Sequence, residues 1–288
     1  MDKKELKQAQ KVMLDILRDV DSLCRKHDIQ YFLDGGTMLG AVRHKGFIPW
    51  DDDLDIGMLR EHYEEFLRIA PKELPDKYFV QDWKSDSEYG FWFTKVRLRG
   101  TVFREMNGSK KVKHNEFFID IFPYDNYPDS ETERVKVTKK IEFYKRCLLA
   151  KTNYSVWNTN DGFSLKRFLS YKLLRLILSF STKEKLINKF SLAAQKYNGT
   201  KTECVYPQGN SKSGKFYLDK ECFSNLCEVK FENEMFPILN DYDIFLKTLY
   251  GDYMSLPPEE HRYNRHNIVE IVFPNNYIEI NKEAKNHE

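Results

Sequence analysis

The sequence has no excess of charge of either sign: 46 Lys and Arg stand against 44 Asp and Glu, a net charge of +2. A general nucleic-acid binder carries a clear basic surplus, so that class is excluded. Paired cysteines are missing as well. The five cysteines, at 24, 147, 204, 222 and 227, form no CxxC pair and are odd in number. That pattern excludes a disulfide framework and a zinc ribbon, and reduced thiols are expected. The first residues, Met1 to Lys11, are charged and hold no apolar stretch of signal-peptide type. A cytoplasmic location is therefore expected, with the Asn-x-Ser/Thr sites at Asn107, Asn153 and Asn198 as chance matches. With 13 Gly and 10 Pro and no repeat, the composition excludes collagen, coiled coil and disorder. What is present is a 288-residue chain, 41% hydrophobic and rich in Phe (21) and Tyr (17), long enough to bury a core without a staple.

Apolar residues at 6, 9, 13, 16, 20 and 23 recur at helical spacing, so the chain opens with an amphipathic helix. A short strand is predicted over Ile29 to Leu33, ending at Asp34-Gly35-Gly36, with Thr37 as N-cap of a helix through Val42. Further strands are predicted at 54–59, 79–82, 91–98 and 117–122, with a helix at 61–70 between the first two. Residues 129–198 read as helical in two or three segments. A hairpin over 228–238 turning at Glu232-Asn233, a helix at 241–249 and a strand at 268–273 follow. Strands followed by helices imply an α+β or α/β class in one body.

Trp50-Asp51-Asp52-Asp53-Leu54-Asp55-Ile56-Gly57 carries most of the chemistry. On a strand, Asp53 and Asp55 would project together while Leu54 and Ile56 turn inward. Two carboxylates at that spacing repel unless a cation lies between them, and hard oxygen ligands suit Mg²⁺ or Mn²⁺. A calcium loop fails, because its sixth and twelfth positions would be Ile56 and His62 in place of Gly and Glu. The alternative is a solvated acidic turn. Against it stands Phe117-Phe118-Ile119-Asp120-Ile121-Phe122, an apolar strand with one carboxylate, which is costly to bury unless it faces a metal or a basic partner. Lys95, Arg97 and Arg99 share one face of their strand, suited either to phosphate oxygens or to acidic neighbours. Gly35-Gly36, between a strand and a helix, would let backbone amides approach phosphate. Gly209 to Lys215 fits GxxxxGK, but Phe216 stands where a P-loop needs Ser or Thr, and the P-loop is rejected.

The run Leu33-Asp34-Gly35-Gly36-Thr37-Met38-Leu39-Gly40-Ala41-Val42-Arg43-His44-Lys45-Gly46-Phe47-Ile48-Pro49-Trp50, continued by DDDLDIG, resembles the signature of the LicD family, bacterial phosphocholine transferases related to fukutin. Lys95-Val96-Arg97, Phe118 to Pro123 and Tyr250 to Pro258 match it too, so the likeness runs from about the first helix to Arg262. The resemblance implies an α+β fold, a nucleotidyltransferase-like mixed sheet flanked by helices. It implies one domain over 1–288: a core at 1–127, a helical segment at 128–200, and a C-terminal hairpin, helix and closing segment at 201–288.

By that resemblance Asp53 and Asp55 hold catalytic Mg²⁺ (or Mn²⁺), Asp120 is third carboxylate and candidate base, and Asp51 is an extra ligand. Gly35, Gly36 and Thr37 would hold the nucleotide's phosphates. Arg43, Lys95 and Arg97 would bind diphosphate or serve structural ion pairs, and Arg262 and His266 would close over the donor or lie at the surface. The implied reaction transfers phosphocholine from CDP-choline to a hydroxyl of a glycan or lipid-linked sugar, such as a teichoic-acid or lipopolysaccharide precursor, releasing CMP. Alternatives are ribitol phosphate from CDP-ribitol, NMP transfer to a small molecule with pyrophosphate release, and a non-enzymatic glycan-binding protein. A choline donor would call for an aromatic box, for which Trp50, Trp92 and Tyr89 are candidates.

Residues 163–180, FSLKRFLSYKLLRLILSF, approach the length of a membrane span, but Lys166, Arg167, Lys172 and Arg175 argue against crossing. Two readings stay open: Leu165, Leu169, Leu173, Leu176 and Phe180 form a core-facing stripe, or the helix lies flat on the inner face of an anionic membrane.

Overall fold

The computed structural model describes residues 1–106, 113–156, 158–159, 162–208, 217–264 and 266–274. Helix α1 (Lys3–Lys26) begins at a capping box in which Asp2 and Glu5 satisfy each other's backbone N–H groups, and it buries the stripe from Leu6 to Cys24. The core then builds through β1 (Phe32–Leu33), α2 (Gly35–His44), β2 (Asp55–Leu59), α3 (Arg60–Glu73), β3 (Tyr78–Gln81), β4 (Thr94–Leu98), β5 (Val102–Glu105) and β6 (Phe118–Tyr127). Next come α4 (Glu131–Lys151), the two-residue strands β7 (Asn158–Thr159) and β8 (Gly162–Phe163), α5 (Leu165–Ile177) with a 3₁₀ turn at Leu178–Phe180, and α6 (Lys183–Ala194). The chain closes with β9 (Cys204–Pro207), β10 (Leu218–Asp219), the hairpin β11 (Leu226–Phe231) and β12 (Glu234–Leu239), α7 (Tyr242–Tyr250) and β13 (Ile268–Val272).

The main sheet runs β1-β2-β6-β4-β3, with β9 joining the far half of β6 and β10 beyond it. The β2–β6 pair is parallel and the other pairs are antiparallel, so the sheet is mixed and the fold is α+β, as expected. Alternation decides the two faces. Val80, Val96, Ile119 and Ile121 are buried in one core with α1 and α3. Tyr78 donates to Asp19 on α1, and Tyr63 on α3 meets Thr94. The opposite face carries polar residues in one row, because register aligns Asp55 with Asp120, Asp120 with Lys95, and Lys95 with Gln81. A second core, with Tyr127, Ile141, Leu148, Leu186, Phe190 and Tyr206, joins α4 and α6 to β9.

Several expectations need correction. The strand at 29–33 is paired only at Phe32–Leu33. The N-cap of α2 is Asp34, whose carboxylate accepts from the Gly35 N–H. Thr37 lies inside the helix, and its hydroxyl accepts from the Asp55 N–H at 2.9 Å. The strand expected at 91–98 starts at Thr94. Strands β5 and β9 were not anticipated, being four residues each without clean alternation. The hairpin turn does fall at Glu232-Asn233, with Glu232 at φ +56°. All five cysteines are free thiols. The GxxxxGK run at 209–215 lies outside the described residues.

The stripe on α5 does not face the core: Leu165, Leu169, Leu173 and Leu176 are 57–69% exposed and Phe180 is 96% exposed. The reason is geometric. α5 packs on α4 through Tyr171 and Leu174, which lie on the other side of the helix.

Candidate active site

Asp55 opens β2, and its parallel neighbour on β6 is Asp120, so two carboxylates share one face of the sheet. The turn before β2 brings Asp51, Asp52 and Asp53 together, with one carboxylate oxygen of each within 4.8 Å of the others. Leu54 and Ile56 are fully buried, which holds the turn down. Burial raises the pKa of Asp55, and the charges of Asp53, Asp120, Asp34 and Asp51 push it further up. Burial likewise raises Asp51, with Asp53 and Asp52 adding repulsion. The Asp55 Oδ1 atom is buried and has no hydrogen-bond partner among the described residues. Acceptor-only oxygens crowded this way, one of them an orphan, fit a hard divalent cation.

The paired glycines sit against these carboxylates. Gly35 has φ +48°, a left-handed conformation that favours glycine. A methyl group on Gly36 would stand 2.9 Å from Asp51 Oδ2, and one on Gly35 would stand 3.8 Å from Asp55 Oδ2. The first turn of α2 therefore lies directly beside the acidic cluster, and a side chain at Gly36 would displace Asp51. Tyr250, at the end of α7, places its hydroxyl 3.6 Å from the same methyl position on Gly35.

The basic residues are distributed differently from a simple phosphate clamp. Lys95 donates to Asp120 at 2.6 Å, both being buried, and lies 3.4 Å from the centre of the Phe118 ring. Burial raises the pKa of Asp120, and the Lys95 ammonium opposes that rise. Arg97 is buried and donates to Gln81 and to the Glu116 carbonyl. The solvated alternative for this strand face therefore fails for Lys95 and Arg97. Arg43 donates to the carbonyls of Tyr253 (2.7 Å) and Ser255 (3.2 Å), and Arg262 donates to that of Pro257 (2.8 Å). These two arginines fasten the Leu256-Pro257-Pro258 turn near Trp50, whose ring centre lies 5.8 Å from the Arg262 guanidinium.

His266 reaches the cluster from the far end of the chain. Its Nδ1 lies 2.9 Å from Asp52 Oδ1, its backbone N–H donates to Asp52 Oδ2, and Nε2 is 3.8 Å from Asp53. Burial alone would lower its pKa, but the Asp52 hydrogen bond and the Asp53 charge outweigh it and lift it to about 10. Of the candidate aromatics, Tyr89 lines a small cavity of about 40 Å³ with Phe91, Lys95, Phe118 and Tyr154. Trp92 belongs to the second core, under Lys145.

A family model described as LicD/FKTN/FKRP, nucleotidyltransferase domain, matches residues 28–154. The chain is 32% identical over 280 residues to the lipopolysaccharide cholinephosphotransferase LicD of Haemophilus influenzae, covering 92% of this chain and 97% of that protein. The chain belongs to the LicD family of phosphotransferases. Likeness to the ribitol 5-phosphate transferase FKRP is more local: 37% identity over 100 residues in the human protein and 32% over 100 in mouse, 35% of this chain and 17% of each of those.

The LicD match from 28 to 154 encloses Gly35 through Asp120, whereas Arg262 and His266 lie beyond it. Sequence reasoning missed Asp52, read as part of a charge run; its 1% exposure and bond to His266 mark it as the inner carboxylate. Tyr250 was also missed, and the signal for it was its place at the head of the Tyr250 to Pro258 motif.

Proposed function

We propose that this chain transfers phosphocholine from CDP-choline to a hydroxyl of a cell-surface glycan precursor or lipid-linked sugar, releasing CMP. One observation carries the reading: Asp55, with an orphaned buried oxygen, stands in register with Asp120 beside the Asp51–Asp53 cluster. The choice of donor rests on the cholinephosphotransferase likeness over 92% of the chain.

Asp53, Asp55 and Asp120 would hold Mg²⁺ or Mn²⁺, with Asp51 as a further ligand, and the bound ion would neutralise charge on the diphosphate and on departing CMP. The Gly35 N–H is taken by Asp34, so at the positive end of α2 the amides of Gly36 and Thr37 would favour the phosphates, with Gly35 giving close backbone approach. The acceptor hydroxyl attacks the phosphorus that bears choline, and the bond from that phosphorus to the bridging oxygen breaks. The hydroxyl proton passes to the Asp120 carboxylate, whose pKa is raised by burial and so suits a base. CMP leaves with the bridging oxygen. Lys95 holds Asp120 in place at 2.6 Å. Ribitol phosphate from CDP-ribitol ranks second, because the FKRP likeness spans only 100 residues.

Thermal unfolding with Mg²⁺ and a donor panel tests the reading, since a ligand that binds only the native state raises Tm. CDP-choline should give the largest rise, ahead of CDP-ribitol, ATP and UDP-sugars. A larger rise with CDP-ribitol would transfer the assignment to ribitol phosphate, and one with ATP would favour NMP transfer.

A further inference from the structure

Helix α5 is apolar on two sides. Tyr171 and Leu174 pack toward α4 and α6, and the residues opposite them point away from the protein. On that outer side Leu165, Leu169, Leu173 and Leu176 follow each other at helical spacing, continued by Ile177 and Phe180. All six are at least 57% exposed, and α5 contains no buried residue. A water-facing helix normally puts polar residues on its outer side, so this stripe is inverted.

The charges around the stripe indicate what covers it. From 162 to 183 there is no acidic residue, whereas Lys166, Arg167, Lys172, Arg175 and Lys183 are basic. At about 100° per residue, Lys166 and Lys172 fall on the two borders of the leucine stripe. Leu173 and Ile177 also line an open groove of about 660 Å³ between α4 and α5, which Arg146 and Arg167 share. Among the described residues no helix is long and apolar enough to cross a membrane. An apolar stripe with cationic borders is complementary to a surface that is apolar beneath and anionic above.

We propose that α5 is an interfacial helix that lays its leucine stripe into the surface of a bilayer containing anionic phospholipid, with its lysines and arginines at the headgroups. The proposal needs neither a donor nor turnover, so its failure leaves the transferase reading untouched.

The test is sedimentation of the full chain with vesicles of phosphatidylcholine alone or mixed with phosphatidylglycerol, at low and high salt. Three proteins are compared: wild type, Leu169→Gln/Leu173→Gln/Leu176→Gln, and Lys166→Gln/Arg167→Gln/Lys172→Gln/Arg175→Gln. Wild type should bind the mixed vesicles at low salt, and either variant should bind about tenfold more weakly or worse. High salt should release wild type, because it screens the headgroup attraction. Hydrogen exchange on wild type supplies a readout independent of the variants' folding, with vesicle-induced protection expected at 165–180. No binding by wild type, equal binding by all three folded proteins, or protection elsewhere would overturn the proposal. So would a wild-type dimer that ignores vesicles and becomes monomeric in the leucine variant.

Discussion

At the scale of single residues, the site is governed by how few partners its carboxylates have. Asp120 and Lys95 form a buried pair, so removing one partner strands a charge. Lys95→Met should cost about 3–5 kcal/mol in urea unfolding, and Lys95→Met/Asp120→Asn should recover more than half of it. An additive double variant would mean that the pair is not coupled. Asp34 gives a pH signature. Burial lifts its pKa from 3.8 to about 6, opposed by hydrogen bonds from Tyr124 and the Gly35 N–H. The folded state therefore keeps a proton that the unfolded state releases earlier, and stability falls as pH rises from about 4 through 6. Asp34→Asn keeps the accepting oxygen without the charge, so metal-free variant should gain about 2–3 kcal/mol over wild type by pH 7 and little at pH 4. A pH-independent difference between the two proteins would contradict this. Part of this arrangement was legible in advance: strand alternation and a lone carboxylate among Phe and Ile pointed to Asp55 and Asp120, which do stand in register, whereas Asp53, expected on the same strand, lies in the turn before β2. The His266–Asp52 contact was not, because 214 positions separate the partners and only the folded chain brings them together.

Among the elements, the junction of β1, α2 and β2 sets the site. Asp34 caps α2 and bonds Tyr124 on β6, while Thr37 ties α2 to the start of β2. Gly36→Ala would press a methyl against Asp51 at 2.9 Å. It should cost about 1–3 kcal/mol and reduce turnover, because Asp51 is half-buried against Asp52 and Asp53 and has little room to retreat. Gly199→Ala, which meets open space and lies outside any helix or strand, is the control, expected to change stability by less than about 0.5 kcal/mol. Unfolding midpoints of both variants decide the matter, and equal midpoints would show that the turn yields freely. The strong strands β2, β4 and β6 were readable from alternation and apolar content. The brief ones were not, since β5 and β9 owe their pairing to β13 and β6 and not to their own pattern. Helix α5 shows the same limit, because a leucine stripe has one periodicity whether it faces a core or a lipid surface.

For the whole molecule, the mixed sheet divides its labour between two faces. One face is sealed by α1 and α3, and the other presents the row Asp55, Asp120, Lys95 and Gln81. The chain's last third returns to the acidic cluster through Tyr250 and His266, while Arg43 and Arg262 fasten the Leu256-Pro257-Pro258 turn beside Trp50. The proposed reaction, phosphocholine transfer with release of CMP, rests on these carboxylates. Phosphorus NMR of CDP-choline with an acceptor glycan, run with wild type and Asp55→Asn, with Mg²⁺ and with EDTA, reads that reaction from its products. Wild type with Mg²⁺ should give CMP and a phosphodiester product, with at least about a thousandfold slower release from Asp55→Asn or in EDTA. Pyrophosphate among the products, or undiminished CMP release from a folded Asp55→Asn protein, would contradict it.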